Sequence, residues 1–433
     1  MNMKIKRALF ILAAAAVTVI CAVIIVAGVG ELLGRPEASD IRAEDPDEST
    51  DISGVRENEK GEAAMEPEGQ EQENASRHTE DSKDNGVEEI LQNMTIEEKA
   101  AQLFIVTPES LTGGPTVTEA DDTLEEAYRS LPAGGFIMMQ GNIISPEQIT
   151  ELNSRLEEMS LETVGVIPFL SVDEEGGTVT RIASNDSFPV EDVGNMSEIG
   201  AAGDSRKAYE AGAYIGKYLR DYGFNLDFAP YADVWNNPEN MVVRYRSFSS
   251  DPGTASEMTA AAVQGFHSSG IWTALKHFPG HGATAEDSHE GFAWSDRTLD
   301  ELRQCEFLPF EAGIEAGSEF VMAGHISVPE AAGEDTPASL SEKVISGILR
   351  DELGYDGIVV TDAMNMGAVT EHYSSAESAV MAVQAGADVI LMPSDLQSAY
   401  QGILDAVQEG KITEDRLDES VRRILELKTE KDI

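Results

Sequence analysis

Two short stretches of this chain carry residues that could do acid–base and nucleophilic chemistry. The run KHFPGHGATAEDSHEG (276–291) places Asp287 and His289 two residues apart on a loop broken by glycine and proline. The run VVTDAMNMG (359–367) ends an apolar, strand-like segment with Asp362. A histidine that donates a proton, facing a rigidly held carboxylate, is a pair that can break a glycosidic bond.

Asp287 and His289 can form a hydrogen bond with each other if the loop turns between them. The carboxylate would then orient the imidazole ring and stabilise its protonated form, which supplies a general acid. An Asx-turn beside a solvent-exposed histidine has the same spacing, and it is the commoner structure for a D-x-H sequence taken alone. Asp362 has a comparable alternative, since an acid after a strand can simply cap the following helix.

The histidines of the first stretch also allow a metal site. His277 and His281, with Asp287 and His289 as further ligands, have side chains that bind transition metals. A spacing of four would suit one face of a helix, but Pro279 between the first two histidines argues against a helix there. We therefore predict no metal and no cofactor.

A second set of polar residues suits the hydroxyl groups of a sugar. VDEEGGTVTRI (172–182) has Asp173 at the end of an apolar run, then two glycines, then Arg181. RYRSF (244–248) adds Arg246. Carboxylates accept hydrogen bonds from hydroxyl groups, and a guanidinium group donates several. Each of these residues could instead form a surface ion pair, which is the commoner outcome.

Eight apolar runs alternate with helix signals from about residue 86 onward. They cover 102–106, 135–139, 167–173, 224–230, 273–278, 320–326, 357–363 and 389–394. Such runs are typical of parallel strands buried on both faces, and polar residues follow several of them. The C-terminal strand ends form the active face of a barrel. Since no G-x-G-x-x-G turn follows an early strand, we predict an α/β fold of the (β/α)₈ TIM barrel type over 87–433, rather than a doubly wound sheet.

The first 86 residues differ in composition from the predicted barrel. Residues 1–30 begin with basic residues and continue with an apolar run long enough to span a bilayer. The basic flank predicts a single-pass membrane anchor with the catalytic domain outside the cell. A cleaved signal peptide is the alternative and would make the protein secreted. Residues 31–86 are acidic and have no aromatic residue, which predicts a disordered linker.

The net charge restricts the class of partner. The 433-residue chain has a formal net charge of −49. Nucleic acid is excluded as a predicted partner because phosphate binding needs a basic surface. The site residues predict a carbohydrate substrate and the N-terminal segment predicts contact with a membrane, whereas the sequence does not indicate an oligomeric state.

Together these motifs resemble glycoside hydrolase family 3, in particular its single-domain β-N-acetylhexosaminidase (β-N-acetylglucosaminidase) branch. The resemblance begins near residue 87 and reaches the last helix. It rests on DEEGG with Arg181, FAPYADV (228–234), RSF followed by Asp-Pro, KHFPGHG followed by DSH, and TDAMNMG. KHFPGHG followed by DSH is the most specific of these motifs. The resemblance implies a metal-independent, retaining hydrolysis of terminal β-linked N-acetylglucosamine in short glycans such as peptidoglycan fragments.

The resemblance also assigns roles to single residues. It implies that Asp362 is the nucleophile and that His289 is the general acid/base, with Asp287 as its partner. Sugar-binding positions carry over to Asp173, Arg181, Arg246, Lys276 and His277. The chain departs from the family pattern at Thr178 and just before Arg246, which leaves Arg244 as an alternative ligand. The rival predictions are a β-glucosidase, a phosphate-using glycosidase on the same fold, a catalytically silent sugar-binding sensor and a metal-dependent barrel hydrolase.

Overall fold

The computed structural model describes residues 86–284 and 293–429. The predicted membrane anchor (1–30) and all but the last residue of the predicted linker lie outside these ranges. The predicted acid/base residues Asp287 and His289 also lie outside them. Within the described ranges, no helix combines the length and the apolar character needed to cross a membrane.

Parallel strands form the centre of the molecule. The strands are β1 Phe104–Val106, β2 Gly135–Ile137, β3 Phe169–Val172, β4 Leu226–Asp227, β5 Trp272–Phe278, β6 Ala293–Trp294, β7 Phe320–Ala323, β8 Ile326–Ser327, β9 Ile358–Thr361 and β10 Ile390–Leu391. Eight of them form one sheet in the order β10-β1-β2-β3-β4-β5-β7-β9, and β6 pairs with β8. Each of the eight predicted apolar runs overlaps one strand of this sheet.

The sheet closes almost completely into a barrel. A parallel bridge between Val360 and Val389 joins β9 to the start of β10, so the two edge strands meet. The amide of Thr361 also donates a hydrogen bond of 3.0 Å to the carbonyl of Val389. All strand pairs of the sheet are parallel, and helices separate most of them in sequence, which fits a TIM barrel. The predicted barrel is confirmed, and the doubly wound alternative is wrong because the sheet has no open switch point.

Helices connect the strands, and many begin at a side-chain cap. Thr95 and Glu98, for example, form a capping box at the start of the first barrel helix. The α-helices are Ile96–Gln102, Pro108–Thr112, Asp122–Ser130, Pro146–Thr163, Met196–Ala201, Ser205–Asp221, Pro252–His267, Leu299–Gln304, Phe307–Glu315, Pro329–Ala332, Gly367–Thr370, Ser375–Ala385, Leu396–Gln408 and Glu414–Lys428. A π-type helix covers Lys343–Glu352, and residues 86–93 are also helical.

Side chains pack against one another in the interior of the barrel. Phe169 makes edge-to-face contacts with Trp272 and Phe320 across the interior. Ile424 of the last helix belongs to the same buried cluster. The last helix therefore closes the N-terminal end of the barrel, and the polar strand ends lie at the opposite, C-terminal end.

Candidate active site

The C-terminal strand ends deliver polar side chains into one pocket of about 320 Å³. Six predicted site residues line it: Asp173, Arg181, Arg246, Lys276, His277 and Asp362. They come from segments far apart in sequence, which the barrel brings together because its parallel strands end at one face. The structure thus assembles every predicted site residue within its described ranges. Asp287 and His289 lie outside those ranges.

Asp362 directly follows β9 and is held by the backbone. Its amide donates to the carbonyl of Ala323 (2.8 Å), and its Oδ1 accepts a hydrogen bond of 2.7 Å from the amide of Ala363. Burial by itself would raise the pKa of Asp362, but nearby His277 and His325 outweigh that effect and the pKa lies below its usual value. The carboxylate is therefore ionised at neutral pH, and its Oδ2 has no partner among the described residues.

Opposite charges are paired at the polar wall of the pocket. Lys276 Nζ lies 3.0 Å from Asp173 Oδ1 and 2.6 Å from Glu175 Oε1. Arg246 makes a bidentate contact with Glu175, with Nε–Oε2 at 2.8 Å and Nη2–Oε1 at 2.7 Å. Burial would raise the pKa of Glu175, but Arg246 and Lys276 hold it well below the usual value. Arg181 contacts Asp173 more loosely, at 3.5 Å.

Arg246 and Arg244 occupy opposite sides of one turn. Arg246 is 13 % exposed and its guanidinium lies 4.3 Å from the centre of the Tyr231 ring. Arg244 is exposed, has no acidic partner among the described residues, and lies over the rings of Trp235 and Tyr245 outside the pocket. Of the two arginines, only Arg246 lines the pocket.

A buried aspartate orients the histidines of the KHFPGHG segment. Asp233 accepts hydrogen bonds from the amides of His277 (3.0 Å) and His281 (2.5 Å), and its Oδ2 lies 3.0 Å from His277 Nδ1. A carboxylate can only accept, so Nδ1 of His277 carries a proton and Nε2 is the nitrogen available to a ligand. Burial lowers the pKa of His281, which keeps this second ring neutral.

Glu174 has a structural task. Its carboxylate accepts from the amides of Arg181, Ile182 and Ala183, at 2.5, 2.9 and 2.8 Å. It also accepts a hydrogen bond of 2.8 Å from the hydroxyl of Tyr218. These four bonds fix the loop after β3, and thereby the position of the Arg181 side chain at the edge of the pocket.

The pocket has an apolar side as well as a polar one. Met139, Met322, Met366 and Met392 line it together with Leu391. Met392 has a φ of 47°, which is an uncommon backbone conformation for a residue with a side chain. The pocket therefore offers a sugar both hydrogen-bonding groups and an apolar surface, as most small-molecule sites do.

Sequence reasoning missed three residues of this site. In the sequence Glu175 is only one acid of a DEEGG run, although the two glycines that follow it indicate a tight backbone approach. Asp233 lies in the FAPYADV motif but gives no separate signal, because it acts through His277 rather than on a ligand. The sequence indicates His281 only as a possible metal ligand, and not as a part of a site without a metal. Within the described residues no group of three or more His, Cys, Asp or Glu side chains could hold a metal ion.

Asp362 shares a pocket at the barrel strand ends with the charged side chains of Lys276 and Arg246, an arrangement that fits the barrel glycosidases. Residues 95–427 match the family model described as "Glycosyl hydrolase family 3 N terminal domain". The chain therefore belongs to glycosyl hydrolase family 3, and the predicted resemblance is confirmed.

Several named relatives are hexosaminidases. β-Hexosaminidase A from Pseudoalteromonas piscicida is 35% identical over 338 residues, which are 72% of this chain and 56% of the relative. A β-hexosaminidase from Stenotrophomonas maltophilia (strain K279a) is 35% identical over 261 residues, covering 60% of this chain and 75% of the relative. A family 3 β-N-acetylglucosaminidase structure from Paenibacillus sp. str. FPU-7 has a TM-score of 0.72 and 39% identity, and the match covers 77% of this chain and 62% of that chain.

Proposed function

We propose that this protein is a retaining β-N-acetylglucosaminidase that removes terminal β-linked N-acetylglucosamine from short glycans, peptidoglycan fragments among them. The observation that carries the proposal is Asp362, an ionised carboxylate whose Oδ2 has no hydrogen-bond partner among the described residues, in a pocket that also holds paired cations and His277. The hexosaminidase relatives support the choice of an acetamido sugar. The match covers 56% of the length of β-hexosaminidase A from Pseudoalteromonas piscicida. The proposed activity therefore refers to the region that this chain and that relative have in common.

In the proposed first step, Asp362 Oδ2 attacks the anomeric carbon and forms a glycosyl ester. His289 donates its proton to the leaving oxygen, and Asp287 stabilises the imidazolium before the transfer. In the second step His289 removes a proton from water, the hydroxide oxygen attacks the same carbon, and the ester bond to Asp362 breaks. Two displacements on one carbon keep its configuration. Asp173, Arg181, Arg246, Lys276 and His277 would bind the hydroxyl groups of the sugar in both steps.

The test compares the full-length protein with Asp362→Ala on a chromogenic β-N-acetylglucosaminide. We expect a loss of at least about a thousandfold in kcat/KM, as for removal of a catalytic nucleophile. Added azide should restore turnover of Asp362→Ala and give a product of inverted configuration, because the small anion fills the vacated position. Asp351→Asn, an exposed acid remote from the pocket, is the matched control. Full turnover by Asp362→Ala would overturn the proposed mechanism.

A β-glucosidase activity is the second candidate. A relative from Cellulomonas fimi, 28% identical over 352 residues, is named "Beta-N-acetylglucosaminidase/beta-glucosidase". The same wild-type assay with a β-glucoside distinguishes the candidates. A preference for the glucoside would move the proposed substrate class from acetamido sugars to glucosides without changing the role of Asp362.

We also propose that residues 1–30 anchor the protein in the cell membrane with the barrel outside. The basic residues before the apolar run support this orientation. Membrane fractionation with protease treatment of intact cells tests it. Full-length protein in the membrane fraction and digestion of the barrel from outside are expected, whereas a shortened protein in the medium would indicate cleavage and secretion.

A further inference from the structure

A second pocket, of about 420 Å³, lies next to the catalytic pocket. Ala283 lines the second pocket and His281 lines the first, and a trans-linked chain places their Cα atoms within ~7.6 Å of each other. Asn236, Asn237, Trp294 and Arg297 form much of its remaining wall. The two pockets are therefore neighbours along one short piece of backbone.

Trp294 presents an indole ring to solvent at this pocket. Its exposed fraction is 40%, and it makes no hydrogen bond or ring contact with any described residue. Its backbone is nevertheless fixed, because the strand Ala293–Trp294 pairs with the strand Ile326–Ser327. The amide of Ser295 also donates a hydrogen bond of 3.0 Å to the carbonyl oxygen of Ser327. An aromatic ring on a fixed backbone, 40% exposed, gives a ligand ring an apolar surface to pack on.

Asparagines provide the polar part of the same wall. The amide of Asn237 donates to Gly282 O (3.1 Å) and its side-chain nitrogen donates to Thr284 O (3.0 Å), which ties this wall to the backbone beside the catalytic pocket. Asn236 donates to Glu306 Oε1 at 2.6 Å, and its own Oδ1 is buried without a partner among the described residues. An aromatic face bordered by amide groups suits a pyranose, which has an apolar CH face and polar edges.

We propose that Trp294, with Asn236 and Asn237, binds a sugar ring on the leaving-group side of the substrate. This inference rests on the proposed function, in which His289 protonates the leaving oxygen. The leaving group must then lie beside the segment that carries His289. The described residues at the two ends of that segment are Thr284 and Ala293, and the neighbours Ala283 and Trp294 both line the second pocket. The protein thus distinguishes a glycan, whose leaving group is a sugar ring, from a simple glycoside, whose leaving group has no such ring.

The test uses the full-length protein and two substrates that share the N-acetylglucosamine to be cleaved. N,N′-diacetylchitobiose has a sugar as its leaving group, whereas the trifluoroethyl β-N-acetylglucosaminide has a small leaving group without a ring. We expect Trp294→Ala to lower kcat/KM for the disaccharide about tenfold, the value of covering roughly 60 Å² of ring surface. The trifluoroethyl glycoside should change less than about twofold, and Trp294→Phe should retain most of the disaccharide activity.

A matched control variant and the wild type separate the possible failures. Tyr209→Ala removes an aromatic ring of similar exposure (38%) from an outer helix, and we expect it to leave both substrates unchanged. An equal loss on both substrates in Trp294→Ala, or no loss on either, would overturn the leaving-group subsite and leave the proposed function standing. If the wild type cleaves neither substrate, the proposed function itself fails.

Discussion

At the residue scale, the contrast between two arginines in one turn gives a sharp prediction. Arg246 binds both oxygens of buried Glu175, whereas Arg244 is exposed and has no acidic partner among the described residues. Lysine keeps the positive charge but cannot make the bidentate contact. We therefore expect Arg246→Lys to lower the melting temperature by several degrees and kcat/KM at least about tenfold. Arg244→Lys should match the wild type in both.

Thermal unfolding and initial rates on one chromogenic substrate measure this pair of variants. Equal effects of the two substitutions would show that the Glu175 contact does not decide the position of Arg246. A drop in kcat/KM for Arg246→Lys with an unchanged melting temperature would assign Arg246 to substrate binding more than to stability. The pair also tests the choice of Arg246 over Arg244, the alternative that the sequence left open.

At the element scale, the strands were predictable and the loops were not. The eight sheet strands fall in apolar runs because parallel strands are buried on both faces, and this composition is visible in the sequence. The short β6–β8 ladder was not predicted, since Ala293–Trp294 is too short to show a pattern. The Asp233–His277 contact was missed for another reason. It joins residues 44 positions apart, and no local signal indicates that pairing.

The KHFPGHG loop depends on a close backbone approach at Gly282. A Cβ atom at this position would lie 1.6 Å from the carbonyl oxygen of Val234, which is part of the backbone and cannot move aside cheaply. We expect Gly282→Ala to destabilise the fold by more than about 2 kcal/mol and to displace the loop from Asp233. Denaturant unfolding and the KM for the chromogenic substrate report the two effects.

Gly347→Ala is the matched control for this loop prediction. Gly347 lies in the helix Lys343–Glu352, and its nearest atom to a new Cβ is 4.0 Å away. Alanine should therefore be neutral or slightly stabilising there, because it restricts the unfolded chain. Unfolding free energies that agree between Gly282→Ala and the wild type would show that the loop is free to shift, and that its position is not fixed by Val234.

At the scale of the whole molecule, the two ends of the barrel have different tasks. The C-terminal end carries the candidate site, and the last helix, Glu414–Lys428, closes the other end. Lys428 is buried in that closure, donating to Gln102 Oε1 (2.8 Å) and Gly134 O (2.6 Å), with its ammonium 4.7 Å from the centre of the Phe169 ring. None of these partners is a carboxylate, so among the described residues only neutral groups stabilise the ammonium charge of Lys428.

Burial lowers the pKa of Lys428 from 10.5 to about 7 in the folded protein. Between these two values the unfolded chain binds more protons than the folded one, so this residue makes stability rise as the pH increases from about 7 to 10.5. Lys428→Gln keeps a donor for Gly134 but cannot titrate. We expect the variant to lose this increase, and each unit of pKa difference corresponds to about 1.4 kcal/mol.

The measurement is the unfolding free energy by denaturant at pH 7, 8 and 9, for the wild type, Lys428→Gln and the exposed control Lys207→Gln. The difference between wild type and Lys428→Gln should shift in favour of the wild type with rising pH, whereas Lys207→Gln should follow the wild type throughout. Parallel curves for all three proteins would mean that Lys428 keeps an ordinary pKa, and that water reaches the closed end of the barrel. The proposed division of the molecule into a reactive end and a sealed end would then be wrong.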